Sequence, residues 1–173
     1  NIEPLEKSMI QGASNLLGNY VSASVLPEGI DAAQVKIARD VMGRSYYHDE
    51  TKVLCLTDRG GYCGKETIGT YFHEMGHWLE NTIPGAQDRL FEFRERRTKG
   101  EKEKAIDKRI PHEVCKKDKF LHPYTGKIYK DRKSTEILST GLEFLCKDPY
   151  RLAKDDPEMF NLVISIIRGI PEK

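Results

Sequence analysis

Residues 73 to 77 read His-Glu-Met-Gly-His and place two imidazoles four positions apart around a carboxylate. On a helix, side chains four positions apart lie one turn apart on the same face, so His73 and His77 can both bind one metal ion. Glu74 points too far round the helix to be a third ligand, but it can reach a water bound to that ion. Zinc with three protein ligands acidifies such a water. The pattern therefore predicts a zinc site with Glu74 as general base.

The flanking residues predict the helix that this pattern needs. We expect it to run from about Glu66 to Asn81 and to end before the Pro84-Gly85 pair. A stripe of apolar residues at helical spacing should face the core, with the two histidines on the opposite side. This stripe comprises Ile68, Phe72, Met75 and Leu79. Gly76 leaves a bare position where another segment can approach the helix closely.

The third ligand must come from elsewhere in the chain. The extended metal-binding pattern with a glycine and a third histidine is absent, because Glu80 and Ile83 occupy those two positions. On an unbroken helix Glu80 should lie along the surface, which makes it a poor ligand. Zinc that keeps an open position for water takes three protein ligands, and two histidines with one glutamate form a known set.

A second helix, predicted from about Ser134 to Cys146, offers that glutamate. Glu136, Thr140 and Glu143 share one stripe of this helix, and its other side is apolar. If the helix packs beside the first, Glu136 can complete the ligand set. Glu143 is the alternative ligand, or else an acceptor for the outer nitrogen of a ligand histidine.

The rest of the chain predicts an α+β fold with a small mixed sheet. We expect a helix from Ile30 to Met42, with Asp31 as its cap, and then a hairpin around Asp49-Glu50 whose second arm is Thr51 to Leu56. The sequence DRGGYCG should make a tight connection from strand to helix. Residues 111 to 133 suggest loops or short hairpins. A last helix should begin after Asp156-Pro157 and end at Gly169.

Length and charge limit the possible classes of function. The 173 residues suit one domain, residues 1 to 173, and a chain that begins at Asn1 suggests a processed protein or a domain cut from a larger one. The net charge of +1 argues against nucleic acid as the main partner. No apolar run is long enough to span a bilayer, and no signal peptide is evident. The four cysteines lack metal-site spacing, so free thiols are the favoured interpretation. Compartment and oligomeric state stay open.

The chain resembles a known family in three features. These are HEMGH at 73 to 77, Glu136 in TEILSTGLEFL, and Tyr129, which lies seven residues before that glutamate. It resembles the gluzincin zinc metallopeptidases, and within them the catalytic domain of anthrax lethal factor and related domains of some phage head and bacterial toxin proteins. The likeness covers roughly residues 46 to 145. It implies a zincin-like fold, a zinc cofactor and a peptide or protein substrate. Thr140 departs from the pattern, because similar enzymes often have a second carboxylate there.

The resemblance also implies roles for residues outside the two helices. Tyr129 would stabilise the oxyanion of the tetrahedral intermediate, with Tyr124 as its competitor for that role. The strand at residues 53 to 56 would either bind extended substrate through its backbone or be an ordinary core strand.

These observations favour a zinc-dependent endopeptidase with His73, His77 and Glu136 as metal ligands and Glu74 and Tyr129 as catalytic residues. The main alternative is a non-catalytic module of zincin fold, such as a phage head domain, with a purely structural metal. A weaker alternative, suggested only by the fragments STE and STGLE, is an ADP-ribosyltransferase-like toxin domain. That alternative gives HEMGH no role.

Overall fold

The computed structural model describes residues 4–40, 44–57, 68–131 and 133–171. Within these ranges the chain forms six α-helices and two three-stranded sheets, so the predicted α+β class is confirmed. The helices are α1 (Pro4–Tyr20), α2 (Ile68–Thr82), α3 (Ala86–Arg97), α4 (Ile137–Lys147), α5 (Pro149–Asp155) and α6 (Pro157–Arg168). The strands are β1 (Lys36–Asp40), β2 (Tyr46–His48), β3 (Val53–Thr57), β4 (Lys104–Asp107), β5 (Ile110–Cys115) and β6 (Lys127–Ile128).

The first sheet is mixed and has β3 at its centre. β1 pairs with β3 in parallel, and β2 pairs with it antiparallel, with Tyr47 opposite Leu54. The predicted hairpin is therefore confirmed. Because both edges of β3 are already paired, the expectation that residues 53 to 56 bind substrate through their backbone is wrong. β3 is a core strand, in which Leu54 and Leu56 are buried.

The predicted helix from Ile30 to Met42 is wrong over the residues that the structure describes. Asp31 does act as a cap, accepting a bond from the backbone of Ala33, but the turn it caps is a short 3-10 turn at Ala32–Gln34. β1 follows, because pairing along five residues of β3 outweighs a weak helical pattern.

The helices α2 and α4 pack against each other more extensively than any other pair of elements among the described residues. Phe72, Met75 and Leu79 have no exposed surface, which confirms most of the predicted core stripe. Ile68 is 38% exposed, so its assignment to the core is wrong. It is the first described residue of α2.

The remaining elements surround this helix pair. Of the loops or short hairpins expected within residues 111 to 133, the antiparallel pairing of β5 with β6 is observed. β4, which completes this sheet, lies before that range and was not predicted. The last predicted helix is confirmed as α6, whose cap Asp156 accepts from the backbone of Met159 and whose end at Gly169 has a φ of 65°. α1 and α5 were not predicted.

Four sequence predictions fall partly or wholly outside the described residues. The DRGGYCG connection lies there, and Cys63 with it. Residues 66 and 67 of the predicted metal-binding helix and residues 41 and 42 of the predicted helix from Ile30 to Met42 also lie there. Cys55, Cys115 and Cys146 are free thiols, as predicted for the cysteines. Among the described helices, none combines the length and the apolar character that crossing a membrane requires.

Candidate metal centre

Two helices bring three candidate ligands together. α2 supplies His73 and His77, and Glu136 occupies the cap position immediately before α4. The Nε2 atoms of His73 and His77 lie 3.2 Å and 3.3 Å from the same oxygen, Oε2 of Glu136. Within the described part of the chain, these are the residues whose arrangement could hold a metal ion, with ligand atoms within 4.8 Å of one another.

The spacing of these atoms fits zinc. Two ligands at 2.0–2.1 Å from a tetrahedral zinc ion lie roughly 3.3 Å apart, which matches both distances to Glu136. Two imidazoles and one carboxylate also form the donor set of known catalytic zinc sites. His73, His77 and Glu136 can therefore accept zinc without a large rearrangement of α2 or α4.

The electrostatics of the metal-free group are those of a buried cluster of opposite charges. Burial disfavours the imidazolium of His73, but Glu136 and Glu143 outweigh it and raise its pKa to about 9. Burial likewise disfavours charged His77, and the Glu136 carboxylate holds its pKa well above the usual value. Burial would raise the pKa of Glu136, but the two imidazoles hold it well below the usual value. In the absence of metal, protons on the histidines therefore neutralise this carboxylate.

The group lies in a cleft of about 950 Å³, a volume within the range of ligand-binding pockets. Glu74 lies in the wall of the same cleft and is 6% exposed. Burial raises the pKa of Glu74, an effect that the charge of Glu136 reinforces and the two histidines oppose. A carboxylate of this kind is a better proton acceptor than an exposed one.

Each candidate ligand histidine has a carboxylate near its Nδ1 atom, the ring nitrogen that does not face Glu136. Nδ1 of His73 lies 3.1 Å from Oε2 of Glu143, whose other oxygen bonds Lys147 at 2.5 Å. Of the two roles considered for Glu143, this geometry matches the acceptor behind the histidine, since Glu136 faces the opposite nitrogen. Nδ1 of His77 faces Ser134 Oγ at 3.3 Å, with Glu80 Oε2 at 3.9 Å.

The expectation that Glu80 lies on the surface is wrong, because it is 1% exposed. The segment that leads into α4 covers it, and the backbone of Thr135 donates to Oε1 at 2.8 Å. Sequence reasoning also missed Ser134. The signal for Glu80 was its position three residues after His77, since such residues are neighbours on a helix.

Both candidate oxyanion donors line the cleft. The hydroxyl of Tyr129 donates to Oε1 of Glu136, and the ring of Tyr124 lies 6.1 Å from the ring of His73. Burial and the charge of Glu136 raise the pKa of both phenols, so both stay protonated donors at neutral pH. A buried cation, Lys127, lies 4.9 Å and 4.7 Å from the centres of the Tyr124 and Tyr129 rings.

β2 lies at the rim of the cleft, a position that the sequence did not suggest for this strand. It is an edge strand of its sheet among the described residues, and Tyr46 and Tyr47 line the cleft. An edge strand is the place where a sheet can accept an extended peptide.

Comparison of the chain with known protein families, with curated proteins and with solved structures gives no match.

Proposed function

We propose that this protein is a zinc-dependent endopeptidase of zincin type in which His73, His77 and Glu136 bind the metal. The observation that carries the proposal is the convergence of two imidazole nitrogens on one carboxylate oxygen at zinc-ligand spacing, inside a large cleft. Zinc bound there would supply a Lewis acid that acidifies a water molecule and polarises a carbonyl oxygen.

Glu74 acts as the general base. It follows a proposed ligand histidine directly in the chain, it lines the cleft, and burial raises its pKa. It accepts a proton from the attacking water and later donates that proton to the leaving amine. A glutamate left in bulk water would be a much weaker base at pH 7.

The substrate lies extended along the outer edge of β2, with the scissile bond over the metal ligands. This assignment rests on the edge position of β2 and on the cleft that it borders. The hydroxyl of Tyr129 donates to the oxyanion after turning from Glu136 Oε1. Tyr124 is the second candidate for the same role.

The number of ligands supports a catalytic metal over a structural one. Structural zinc sites are usually closed by four protein ligands, whereas catalytic sites have three and keep one position open. The candidate group has three members among the described residues, and it borders a cleft instead of being enclosed in the core.

Hydrolysis of an unstructured protein, such as casein, by wild type and Glu74→Gln tests the proposal. Glu74→Gln should retain one zinc per chain and lose at least about 100-fold in rate. Glu92→Gln, which makes the same substitution at an exposed position of α3 outside the cleft lining, is the matched control and should keep wild-type activity. Full activity of Glu74→Gln would refute the mechanism. A wild type that binds zinc, hydrolyses nothing and unfolds on chelation would instead identify a structural metal.

A further inference from the structure

Outside the proposed metal ligands and general base, Glu80 is the most deeply buried charged residue among those described. It is a carboxylate with 1% exposure near the end of α2, and burying such a group is costly unless hydrogen bonds compensate for lost water. Both oxygens have donors: Oε1 accepts from the backbone of Thr135 at 2.8 Å, and Oε2 accepts from Ser134 Oγ at 3.3 Å. Neither donor belongs to α2, so Glu80 joins this helix to the segment that precedes α4.

The same hydroxyl also faces a histidine. Ser134 Oγ lies 3.3 Å from Nδ1 of His77. Ser134 has one hydroxyl proton, and both Glu80 Oε2 and the carbonyl oxygen of Thr135 lie 3.3 Å from Oγ as acceptors. The charged carboxylate is the stronger acceptor of the two. With Oγ–H directed to Glu80, Nδ1–H of His77 donates to Oγ, and the three side chains form a relay. That arrangement puts the proton of neutral His77 on Nδ1 and leaves the lone pair of Nε2 free to bind metal.

The relay lies next to the third proposed ligand. Thr135, whose backbone donates to Glu80, immediately precedes Glu136, and Glu136 Oε2 is 3.3 Å from Nε2 of His77. Glu80 is therefore connected to two of the proposed ligands. Through Ser134 it reaches His77 on α2, and through the backbone of Thr135 it holds the residue before Glu136, which caps α4.

We propose that Glu80, acting through Ser134, is a positioning residue that fixes the tautomer of His77 and the place of Glu136 for metal binding. The inference rests on the proposed function, since it requires that these residues bind zinc. His73 has a direct counterpart in Glu143, so each proposed ligand histidine would have its own acceptor.

Zinc competition with a chromophoric chelator tests this inference on wild type, Ser134→Ala, Ser134→Thr and Glu80→Gln. Glu80→Gln can still accept from Thr135 but presents an amide donor to Ser134, which reverses the relay. It and Ser134→Ala should weaken zinc binding about 10- to 100-fold, and Ser134→Thr, which keeps the hydroxyl, should bind as wild type does.

Gln87→Ala is the matched control, because Gln87 Nε2 holds the same segment through the carbonyl of Lys133 without contacting an imidazole. It should leave the zinc affinity unchanged. A second readout is independent of affinity: in proton–nitrogen NMR spectra of the zinc-loaded proteins, the Nδ1 proton of His77 should exchange slowly with water in wild type and faster in Ser134→Ala, which removes its acceptor.

The outcomes separate the two proposals. Wild type that binds zinc tightly, with Ser134→Ala and Glu80→Gln unchanged in affinity and in the exchange of the His77 Nδ1 proton, would overturn the positioning role alone. Equal losses in Gln87→Ala would show that only the attachment of the segment matters, which also overturns it. Wild type that binds no zinc would overturn the proposed function and this inference together. If Glu80→Gln fails to fold, Ser134→Ala, which keeps the bond from Thr135 to Glu80, still decides.

Discussion

Replacing Gly76 by alanine should force apart the two helices that form the proposed zinc site. A Cβ at this position would lie 2.4 Å from Cα and 2.8 Å from the backbone nitrogen of Ser139, whereas ordinary van der Waals contact begins at 3.4 Å. Backbone atoms cannot turn away as a flexible side chain can. α4 must therefore move about 1 Å away from α2, since non-bonded carbon atoms settle roughly 3.5 Å apart.

Two effects of opposite sign set the change in stability. Overpacking a tight contact costs about 1–3 kcal/mol, and the better helix propensity of alanine returns up to about 1 kcal/mol. We expect a net loss of roughly 1–2 kcal/mol in the free energy of unfolding, measured by urea denaturation of the metal-free protein.

Zinc affinity should fall as well. Ser139 donates to Oε2 of Glu136 at 2.8 Å, so a shift of Ser139 carries that carboxylate away from the two histidines on α2. A displacement of about 1 Å is large beside a metal–ligand distance tolerance of about 0.2 Å. The zinc dissociation constant, measured by chelator competition, should rise at least about 10-fold, as it does when support of a ligand is lost.

Gly12→Ala is the matched control, because Gly12 lies within α1 and a Cβ there would meet nothing within 4 Å. It should raise stability by about 0.5–1 kcal/mol and leave zinc affinity unchanged. If Gly76→Ala were as stable as wild type and bound zinc as tightly, the close approach of α2 and α4 could not be what sets the ligand geometry.

Two further predictions concern protons and the oxyanion. In the metal-free protein the pKa of His73 is raised from 6.5 to about 9, so the folded state binds more protons and its stability should fall as pH rises through that window. His73 alone accounts for roughly 3 kcal/mol of this fall, and His77, whose pKa is also raised, adds to it. Urea midpoints at pH 6.5 and 9.5 measure the fall, and equal midpoints would exclude the buried ion pair with Glu136. Tyr129→Phe should lower kcat about 100-fold or more at unchanged zinc content, and more than Tyr124→Phe does; the reverse order in casein hydrolysis would assign the oxyanion to Tyr124.

The sequence predicted most where the spacing of residues within one segment decides which side chains lie on the same face. The His-Glu-Met-Gly-His pattern predicted that His73 and His77 share one face of α2, which follows from helical periodicity. The stripe in residues 134 to 146 predicted that Glu136 and Glu143 face these histidines, although Glu136 precedes α4 as its cap and is not within the helix. The pairing of a glutamate with the outer nitrogen of His73 also followed, because metal-binding histidines usually have an acceptor there.

Contacts between distant segments were not predictable in this way. Glu80 is buried because the segment before α4 lies over it, and nothing in the sequence near residue 80 encodes that cover. The strand β1 was mistaken for a helix because its partner, β3, lies beyond an intervening edge strand. For the same reason the sequence did not reveal that β3 is paired on both sides and that β2 lies at an edge of this sheet among the described residues.

The most direct test of the central claim is elemental analysis of zinc in purified wild type, Glu136→Ala and Glu143→Ala, each supplied with metal at neutral pH. The account predicts about one zinc per chain in wild type and its loss in Glu136→Ala. Glu143→Ala should retain zinc but bind it more weakly, since Glu143 faces the outer nitrogen of His73. No zinc in wild type, or full retention in Glu136→Ala, would contradict the proposed metal centre.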